Sequence, residues 1–148
     1  MGAFDIMCTM FRKKKTEEYL GNVIIPPGLI VPPEQHEIDA ALILSRHYKC
    51  SVEFLVPIND YKRTTADVVM QGVIWEMKSP KGESKKNTIE RQFKKGTKQS
   101  RNIVLDTRRT KLDDLEIEKR VLLEAKKRSS IKKVIMINKS GKIVVIKK

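Results

Sequence analysis

The stretch TADVVMQGVIWEMKS, residues 65–79, decides how the chain folds. It predicts two short strands, Ala66–Met70 and Val73–Lys78, joined by Gln71-Gly72. A two-residue connection that ends in glycine is typical of a tight β-hairpin, because glycine adopts positive φ angles without steric cost. The sequence therefore predicts a hairpin at the centre of the fold.

The turn determines which residues face each other across this hairpin. Counting outward from it places Asp67 opposite Glu76, and Lys78 shares their face because side chains alternate along a strand. Two carboxylates directly opposite each other repel unless a cation or a shared proton intervenes. The hairpin is therefore a candidate site for a hard divalent cation such as Mg²⁺, beside a lysine that orients a water or a phosphate. The alternative is an ordinary surface hairpin in which Glu76 pairs with Lys78.

The composition indicates one basic domain with a polyanionic partner. The 148 residues carry a formal net charge of +13, with 33% charged and 40% hydrophobic residues. A domain this basic usually meets nucleic acid, an anionic membrane or an acidic protein; an inert, highly charged surface is the alternative. Cys8 and Cys50 form neither a disulfide framework nor a zinc pattern. We expect no membrane span, and the basic run after the first apolar residues does not predict a secretory signal.

The amino-terminal third predicts a lead-in followed by a helix. We expect residues 1–33 to be a lead-in or linker and residues 34–148 to be the folded domain. Asn22–Val31 is apolar but interrupted by prolines, which predicts an extended segment or an edge strand. Glu34–Tyr48 predicts a helix with an apolar stripe. Glu37 lies at the edge of this stripe, either as a partner for the positive helix end or as a third carboxylate directed into the hairpin site.

A second helix, predicted from Asn87 to Arg101, carries a dense positive charge. Asn87 suits the N-cap, and Glu90 three residues later completes a capping box. Lysine and arginine neutralise backbone phosphates, so this segment predicts a nucleic-acid-binding surface; a solvated basic face is the alternative. Gln92 and Gln99 lie near one face of the helix, where they are placed to contact a substrate. The basic residues are Lys85, Lys86, Arg91, Lys94, Lys95, Lys98 and Arg101.

The other segments alternate between strands and helices. Strands are predicted at Cys50–Pro57, Asn102–Asp106, Ile131–Ile137 and Lys142–Ile146, and a helix at Asp113–Arg128. The order is helix, strand, hairpin, helix, strand, helix and two strands. This order predicts an α/β fold with a mixed central β-sheet flanked by helices.

The pattern Asp67…Glu76-Met77-Lys78 resembles the motif of the PD-(D/E)XK nuclease superfamily. The surroundings strengthen the resemblance, since a helix with Glu37 precedes the hairpin and WEMKSP is followed by KNTIERQFKKGTKQSRNIVLD. Over residues 34–106 the chain is similar to the C-terminal toxin domain of contact-dependent growth inhibition proteins of the tRNA-nuclease type. Ala66 stands in place of the motif's proline, which takes no part in the chemistry.

The resemblance implies a fold, an activity and a set of roles. It implies a restriction-endonuclease-like core and metal-dependent hydrolysis of phosphodiester bonds, with tRNA expected ahead of DNA as the substrate. By this resemblance Asp67 and Glu76 are the metal ligands, helped by Glu37, and Lys78 is the catalytic lysine. The implied cofactor is Mg²⁺ or another divalent cation such as Mn²⁺ or Zn²⁺. Further family positions are matched by Asn87, Thr88 and Gln99.

The resemblance also implies partners and a place of action. A toxin of this type is expected to be delivered from a larger exported protein, to act in the cytoplasm and to be bound by a cognate immunity protein. Three alternatives stay open. The first is a DNA endonuclease of the same fold, because the catalytic groups act on the phosphate in either case. The others are a non-catalytic nucleic-acid-binding module and a basic adaptor for an acidic protein.

Overall fold

The computed structural model describes residues 18–56, 67–82, 88–96 and 101–148. These residues form a seven-stranded sheet, in which the strands follow sequence order, and three helices. The predicted α/β architecture with a mixed sheet is confirmed. The strands are β1 (Asn22–Ile24), β2 (Ser51–Phe54), β3 (Asp67–Met70), β4 (Val73–Lys78), β5 (Asn102–Asp106), β6 (Lys133–Ile137) and β7 (Ile143–Lys147); the helices are α1 (Gln35–Tyr48), α2 (Thr88–Gly96) and α3 (Asp114–Lys127).

The β3–β4 hairpin has the predicted turn and the predicted register. Asp67 pairs with Glu76 across the antiparallel ladder. Gln71 and Gly72 both have positive φ angles, 51° and 73°. Two successive positive φ angles are typical of a type I′ turn, whose twist matches that of the two strands. The register therefore follows from local turn geometry.

Parallel pairing brings polar residues to one end of the sheet. β4 pairs in parallel with β5, and β5 in parallel with β6. The crossover from β4 to β5 contains α2, and the crossover from β5 to β6 contains α3, because parallel neighbours need such a connection. The carboxyl ends of β4 and β5 therefore lie side by side, with Lys78 and Asp106 as their last residues.

Helices cover both faces of the sheet and create two cores. α1 packs on one face, where its Ala40 and Leu44 join a cluster with Trp75. α2 and α3 pack on the other face, where Phe93 and Val121 join a cluster with β5 and β6. Trp75 thus lies on the face opposite Asp67 and Glu76, as alternation predicts. None of the helices in the described ranges has the length and apolarity to cross a bilayer.

The segment expected to be a lead-in contributes one strand to the sheet. β1 is the edge strand and pairs in parallel with β2, in agreement with the predicted edge strand. Ser45 of α1 holds it in place: its hydroxyl accepts a hydrogen bond from the Asn22 N–H at 2.7 Å and donates one to the Cys50 carbonyl at 2.5 Å. The domain boundary at residue 34 stays a prediction.

The predicted end of the basic helix at Arg101 is wrong. Arg101 lies in a bend, because the chain must enter β5 at Asn102. The described part of α2 spans Thr88–Gly96. Residues 97–100 lie outside the described residues. The last helix and β5, by contrast, agree with their predicted positions to within one residue at each end.

Candidate functional site

The hairpin carries its acids and its lysine on one face of the sheet. Glu76 and Lys78 pair in register with Ile103 and Leu105, which belong to the core beneath α2 and α3. Lys78 Nζ lies 2.7 Å from Glu76 Oε1, and the two side chains are 2% and 0% exposed. Asp67 lies across the ladder from Glu76 and is half-buried. The structure thus brings the three predicted residues together on the α2–α3 side.

A buried lysine–glutamate pair contributes little net stability. The loss of hydration of both charges competes with their attraction, and a well-packed hydrophobic pair often serves a core equally well. Removing one partner, however, leaves a buried charge and costs about 3–5 kcal/mol. Packing alone therefore does not account for the pair of Lys78 and Glu76, and buried ionisable groups at a cavity favour a chemical role.

Lys78 also lines a cavity of about 240 Å³ at the carboxyl ends of β4 and β5. The amino end of α1, the ends of the two strands and α2 all contribute to its wall. Asp67 and Glu76 are not among its lining residues; Glu76 is connected to it through the ion pair with Lys78. The lining residues are Glu34, His36, Glu37, Met77, Lys78, Ser79, Lys81, Gln92, Asp106 and Arg109.

Glu37 reaches this cavity from the helix on the opposite face of the sheet. Its Oε2 accepts a hydrogen bond from the Glu34 N–H at 3.0 Å, so the carboxylate also stabilises the first turn of α1. The two roles that the sequence left open are therefore compatible. Glu37 interacts with the helix start and, at the same time, lines the cavity that Lys78 enters.

Asp106 and Arg108 form an ion pair that sequence reasoning missed. Asp106 is 1% exposed, and Arg108 Nε and Nη2 donate to its two oxygens at 2.9 and 2.8 Å. The same Nη2 donates to the His36 carbonyl at 2.9 Å. The hydrogen bond to Asp106 raises the pKa of Arg108 above its ordinary value. This ion pair fastens the first turn of α1, which carries Glu37, to the end of β5.

Arg109 fixes the other side of the cavity. Its Nη2 donates to the Ser79 carbonyl at 2.8 Å and its Nε to the Ser79 hydroxyl at 3.1 Å. The segment after β4 is thereby held against the segment after β5. An acid that ends a buried apolar strand and is followed by two arginines is the sequence signal that points to this part of the site.

A family model matches residues 63–143 of the chain, more than half of its length, and describes the contact-dependent growth inhibition CdiA C-terminal domain. The chain belongs to this family. The matched range contains the β3–β4 hairpin, the basic helix and the Asp106–Arg108 pair. No curated protein matches the chain.

A solved structure has a similar fold. It is described as the CdiA-CT/CdiI toxin and immunity complex from Burkholderia pseudomallei. The two chains are 18% identical, the match covers 86% of this chain and 100% of that one, and the TM-score is 0.53. At this identity the likeness shows a shared fold and nothing further.

The structure describes part of the nucleic-acid-binding surface that the sequence predicts for this CdiA C-terminal domain. Arg91 and Lys94 of α2 and Arg101 before β5 are exposed, and Thr88 is half-buried. Lys94 Nζ lies 3.4 Å from Glu90 Oε1, a surface pair that contributes little. Gln92 on the same helix lines the cavity, so the basic helix borders it directly. Outside the described residues lie Lys85, Lys86, Asn87, Lys98 and Gln99, as does the side chain of Lys95.

The oxygen donors of the site suit a hard divalent cation. Asp67 and Glu76 face each other across the ladder, and Mg²⁺ typically uses one or two carboxylates together with water and substrate phosphates. Glu37 supplies a third carboxylate at the adjoining cavity. Across the described ranges, no three His, Cys, Asp or Glu side chains are arranged to hold a metal ion by themselves. The donor set fits a cation that completes its coordination with water and phosphate.

Proposed function

We propose that this CdiA C-terminal domain is a toxin of contact-dependent growth inhibition and acts as a metal-dependent nuclease on tRNA. We assign it a restriction-endonuclease-like, PD-(D/E)XK core. The observation that supports this most is the buried Lys78–Glu76 pair opposite Asp67, at the cavity that Glu37 lines. DNA is the alternative substrate, because the same groups act on a phosphate in either nucleic acid.

The site residues have different roles around the scissile phosphate. Asp67 and Glu76, helped by Glu37, would hold Mg²⁺ or a similar cation, which would supply a Lewis acid and an activated water. Lys78 places its ammonium group at the cavity, where it orients a water and stabilises the negative charge that develops on the phosphate. Because the pair with Glu76 is buried, this stabilisation acts in a medium of low dielectric constant and is stronger than in water.

Exposed cations of α2 bind the flanking nucleic acid. Arg91 and Lys94 lie on either side of Gln92, which lines the cavity. Phosphates of the substrate that lie outside the cavity, next to the cleaved bond, therefore contact positive charge on α2. Phosphate contacts of this kind position a substrate without reading its sequence.

A toxin of this kind requires protection of the cell that makes it. We propose a cognate immunity protein with an acidic surface, because the chain carries a net charge of +13. The similar solved structure is described as a toxin and immunity complex. The domain would reach the cytoplasm, its place of action, as part of a larger exported protein.

Digestion of total tRNA and of plasmid DNA, side by side, tests this function. We expect cleavage of tRNA with Mg²⁺, loss of cleavage with EDTA, and little effect on the plasmid. Cleavage of the plasmid alone would assign the substrate to DNA. Cleavage of tRNA that persists in EDTA would contradict the metal-dependent mechanism, and the absence of cleavage in both would contradict nuclease activity.

A double variant separates chemistry from folding. Lys78→Gln alone leaves the buried Glu76 charge uncompensated, whereas Glu76→Gln/Lys78→Gln removes both charges and keeps two side chains of similar size. We expect the double variant to fold and to be inactive. The matched control is Glu124→Gln/Arg128→Gln, which removes another largely buried pair and should stay active. Full activity of the first double variant, with a normal thermal transition, would remove the pair from the chemistry.

A further inference from the structure

A second concentration of positive charge lies at the end of the sheet opposite the cavity. β5 and β6 begin at this end, β7 ends there, and the last turn of α3 contributes further lysines. In the described part of the chain, Glu124 is the acid that forms ion pairs at this end. The basic residues are Arg101, Lys126, Lys127, Arg128, Lys132, Lys133, Lys147 and Lys148.

Strand pairing gathers these residues from distant parts of the sequence. Lys133 pairs with Asn102 across β5 and β6, and Lys147 pairs with Val134 across β6 and β7. The Lys132 N–H donates to the Arg101 carbonyl at 2.7 Å. Neighbouring strands lie about 4.8 Å apart, so the three strand ends that carry these residues lie within about 10 Å of one another.

Three of these cations have structural tasks. Arg128 and Lys127 pair with Glu124; burial alone would raise the pKa of Glu124, but these two cations lower it below its usual value. Lys147 Nζ donates to the Ala125 carbonyl at 3.3 Å and to the carbonyl of the C-cap residue Arg128 at 3.4 Å, which satisfies acceptors that a helix end leaves open. Helix termination and folding account for these three residues.

The other five cations have no such task. They are Arg101, Lys126, Lys132, Lys133 and Lys148, and they form the far-end patch. All five are exposed, and none makes an ion pair with any residue that the structure describes. Charges of one sign destabilise a compact fold by repulsion, so the patch is suited to an anionic partner that offsets this repulsion.

We propose that the far-end patch binds the phosphates of a structured nucleic acid and extends the binding surface that begins at the cavity. This inference rests on the proposed nuclease function. α2 connects the two regions: Gln92 lines the cavity, Arg91 and Lys94 are exposed on the same helix, and Arg101 follows it at the start of β5. Positive charge thus runs from one end of the sheet to the other.

The length of β5 sets the size of the nucleic acid. Arg101 stands at its amino end and Asp106 at its carboxyl end, and about five residue steps of about 3.3 Å separate them by about 17 Å. A duplex advances about 3.4 Å per phosphate along one strand. A ligand that contacts both ends must therefore extend over about five base pairs, which favours a nucleic acid with a stem over a dinucleotide.

The chemistry of the patch favours nucleic acid over a protein partner. Protein interfaces are depleted of lysine and enriched in aromatic residues at their centres. The far-end patch consists of lysines and one arginine, with the exposed Ser129 and Ser130 between them in sequence. Flexible, exposed lysines suit phosphate contacts, which need charge and not shape complementarity.

The salt dependence of RNA binding tests this surface. The variant is Lys132→Gln/Lys133→Gln, and the control is Lys49→Gln/Lys142→Gln, which removes two exposed lysines at the α1 side. Affinity for an RNA stem of two helical turns is measured against salt concentration without a divalent cation, so that the RNA stays intact. We expect the log–log slope to fall by about 2 in the variant, since each phosphate contact contributes up to about 0.9, and to stay unchanged in the control.

The possible results either support or overturn nucleic-acid binding by the far-end patch. Equal affinity of variant and wild type for a dinucleotide, together with the lower slope on the stem, supports the far-end patch. An unchanged slope, or the same fall in the control, would overturn it. If the variant loses as much affinity for polyglutamate as for the RNA stem, the patch is assigned to acidic proteins instead. A lower slope in a protein that cleaves neither RNA nor plasmid DNA would support the patch and contradict the nuclease function.

Discussion

The two ends of the sheet treat charge in opposite ways. At the carboxyl ends of β4 and β5, Lys78 and Asp106 are buried and paired with opposite charges. At the amino ends of β5 and β6, Arg101 and Lys132 are exposed and surrounded by charges of the same sign. Buried charges interact strongly over short distances, whereas exposed ones are screened by salt beyond about 10 Å at 0.1 M. One end is suited to chemistry and the other to salt-dependent binding.

Burial by itself does not mark the chemical end. Arg128 and Glu124 also form a largely buried pair, near the far end of the sheet. That pair serves the last turn of α3, since Arg128 also donates to the Glu124 carbonyl at 3.3 Å. The pair of Lys78 and Glu76 instead connects to a cavity with further acids. Access to a cavity, added to burial, distinguishes the two pairs.

The largest expected effect compares one lysine from each end. Lys78→Gln should lower kcat/KM for tRNA by about 10²–10³-fold, the usual loss when a donor that stabilises transition-state charge is removed. Lys132→Gln should leave the rate of cleavage by saturating enzyme within about twofold, because it removes one binding contact away from the reacting phosphate. Single-turnover cleavage measures both. Equal losses in the two variants would abolish the distinction between the ends.

The second expected effect concerns stability at the cavity. Arg108→Ala leaves the buried Asp106 without its main partner and should lower the free energy of unfolding by about 3 kcal/mol. Arg108→Lys keeps the charge but loses the two-pronged contact, so a smaller loss is expected. Arg101→Ala at the far end should change stability by less than about 0.5 kcal/mol. Urea denaturation gives all three values, and a neutral Arg108→Ala would refute the fastening role of this ion pair.

The third effect tests the turn, which lies at the amino end of β4. Gly72 has a φ of 73° and open space around an added Cβ, so Gly72→Ala should cost about 1 kcal/mol through backbone strain alone. Gly28→Ala is the control, since an added Cβ there makes ordinary contact at 3.7 Å with Val56. Thermal unfolding should show a loss for Gly72→Ala only, with tRNA cleavage unchanged. A loss of cleavage at a temperature where the variant is folded would show that the turn affects the distant cavity.

The smallest effect depends on pH. Arg128 lowers the pKa of Glu124 in the folded protein below its ordinary value of 4.5. The Glu124 carboxylate therefore binds a proton more readily in the unfolded chain than in the folded protein. The pair stabilises the fold above about pH 4.5 and loses its effect as the pH falls through the lowered pKa. The free energy of unfolding, measured by urea denaturation, should be about 1 kcal/mol higher for wild type than for Glu124→Gln at pH 7. This difference should shrink in acid. A difference that grows in acid would contradict this assignment.

The parts of the fold that the sequence predicted are those governed by neighbours in the chain. The hairpin register follows from Gln71-Gly72, whose two positive φ angles leave one alignment. β5 was predicted with its observed bounds because the apolar run Ile103–Leu105 between polar residues suits a buried strand. The predicted end of α2 at Arg101 was wrong, because helix ends depend on where the chain must turn to enter the next strand, and Arg101 lies in a bend before β5.

The candidate site was predictable only in part. Asp67, Glu76 and Lys78 follow from alternation along two adjacent strands, and their chemical roles stay predictions. Asp106 and Arg108 were missed because an acid at a strand end has no periodic signal, and its importance depends on what lies beside it.

The sequence by itself determined the turn, the alternation of side chains and the charge of each segment, since these properties involve residues within a few positions of one another. Only the tertiary structure decided that Glu37, from a helix on one face, and Lys78, from the other face, line one cavity at the end of the sheet. It also decided that Arg101 and Lys132 meet at the far end. Such encounters depend on strand order and helix packing, in which segments far apart in the chain bury their apolar surfaces together, and no local pattern encodes them.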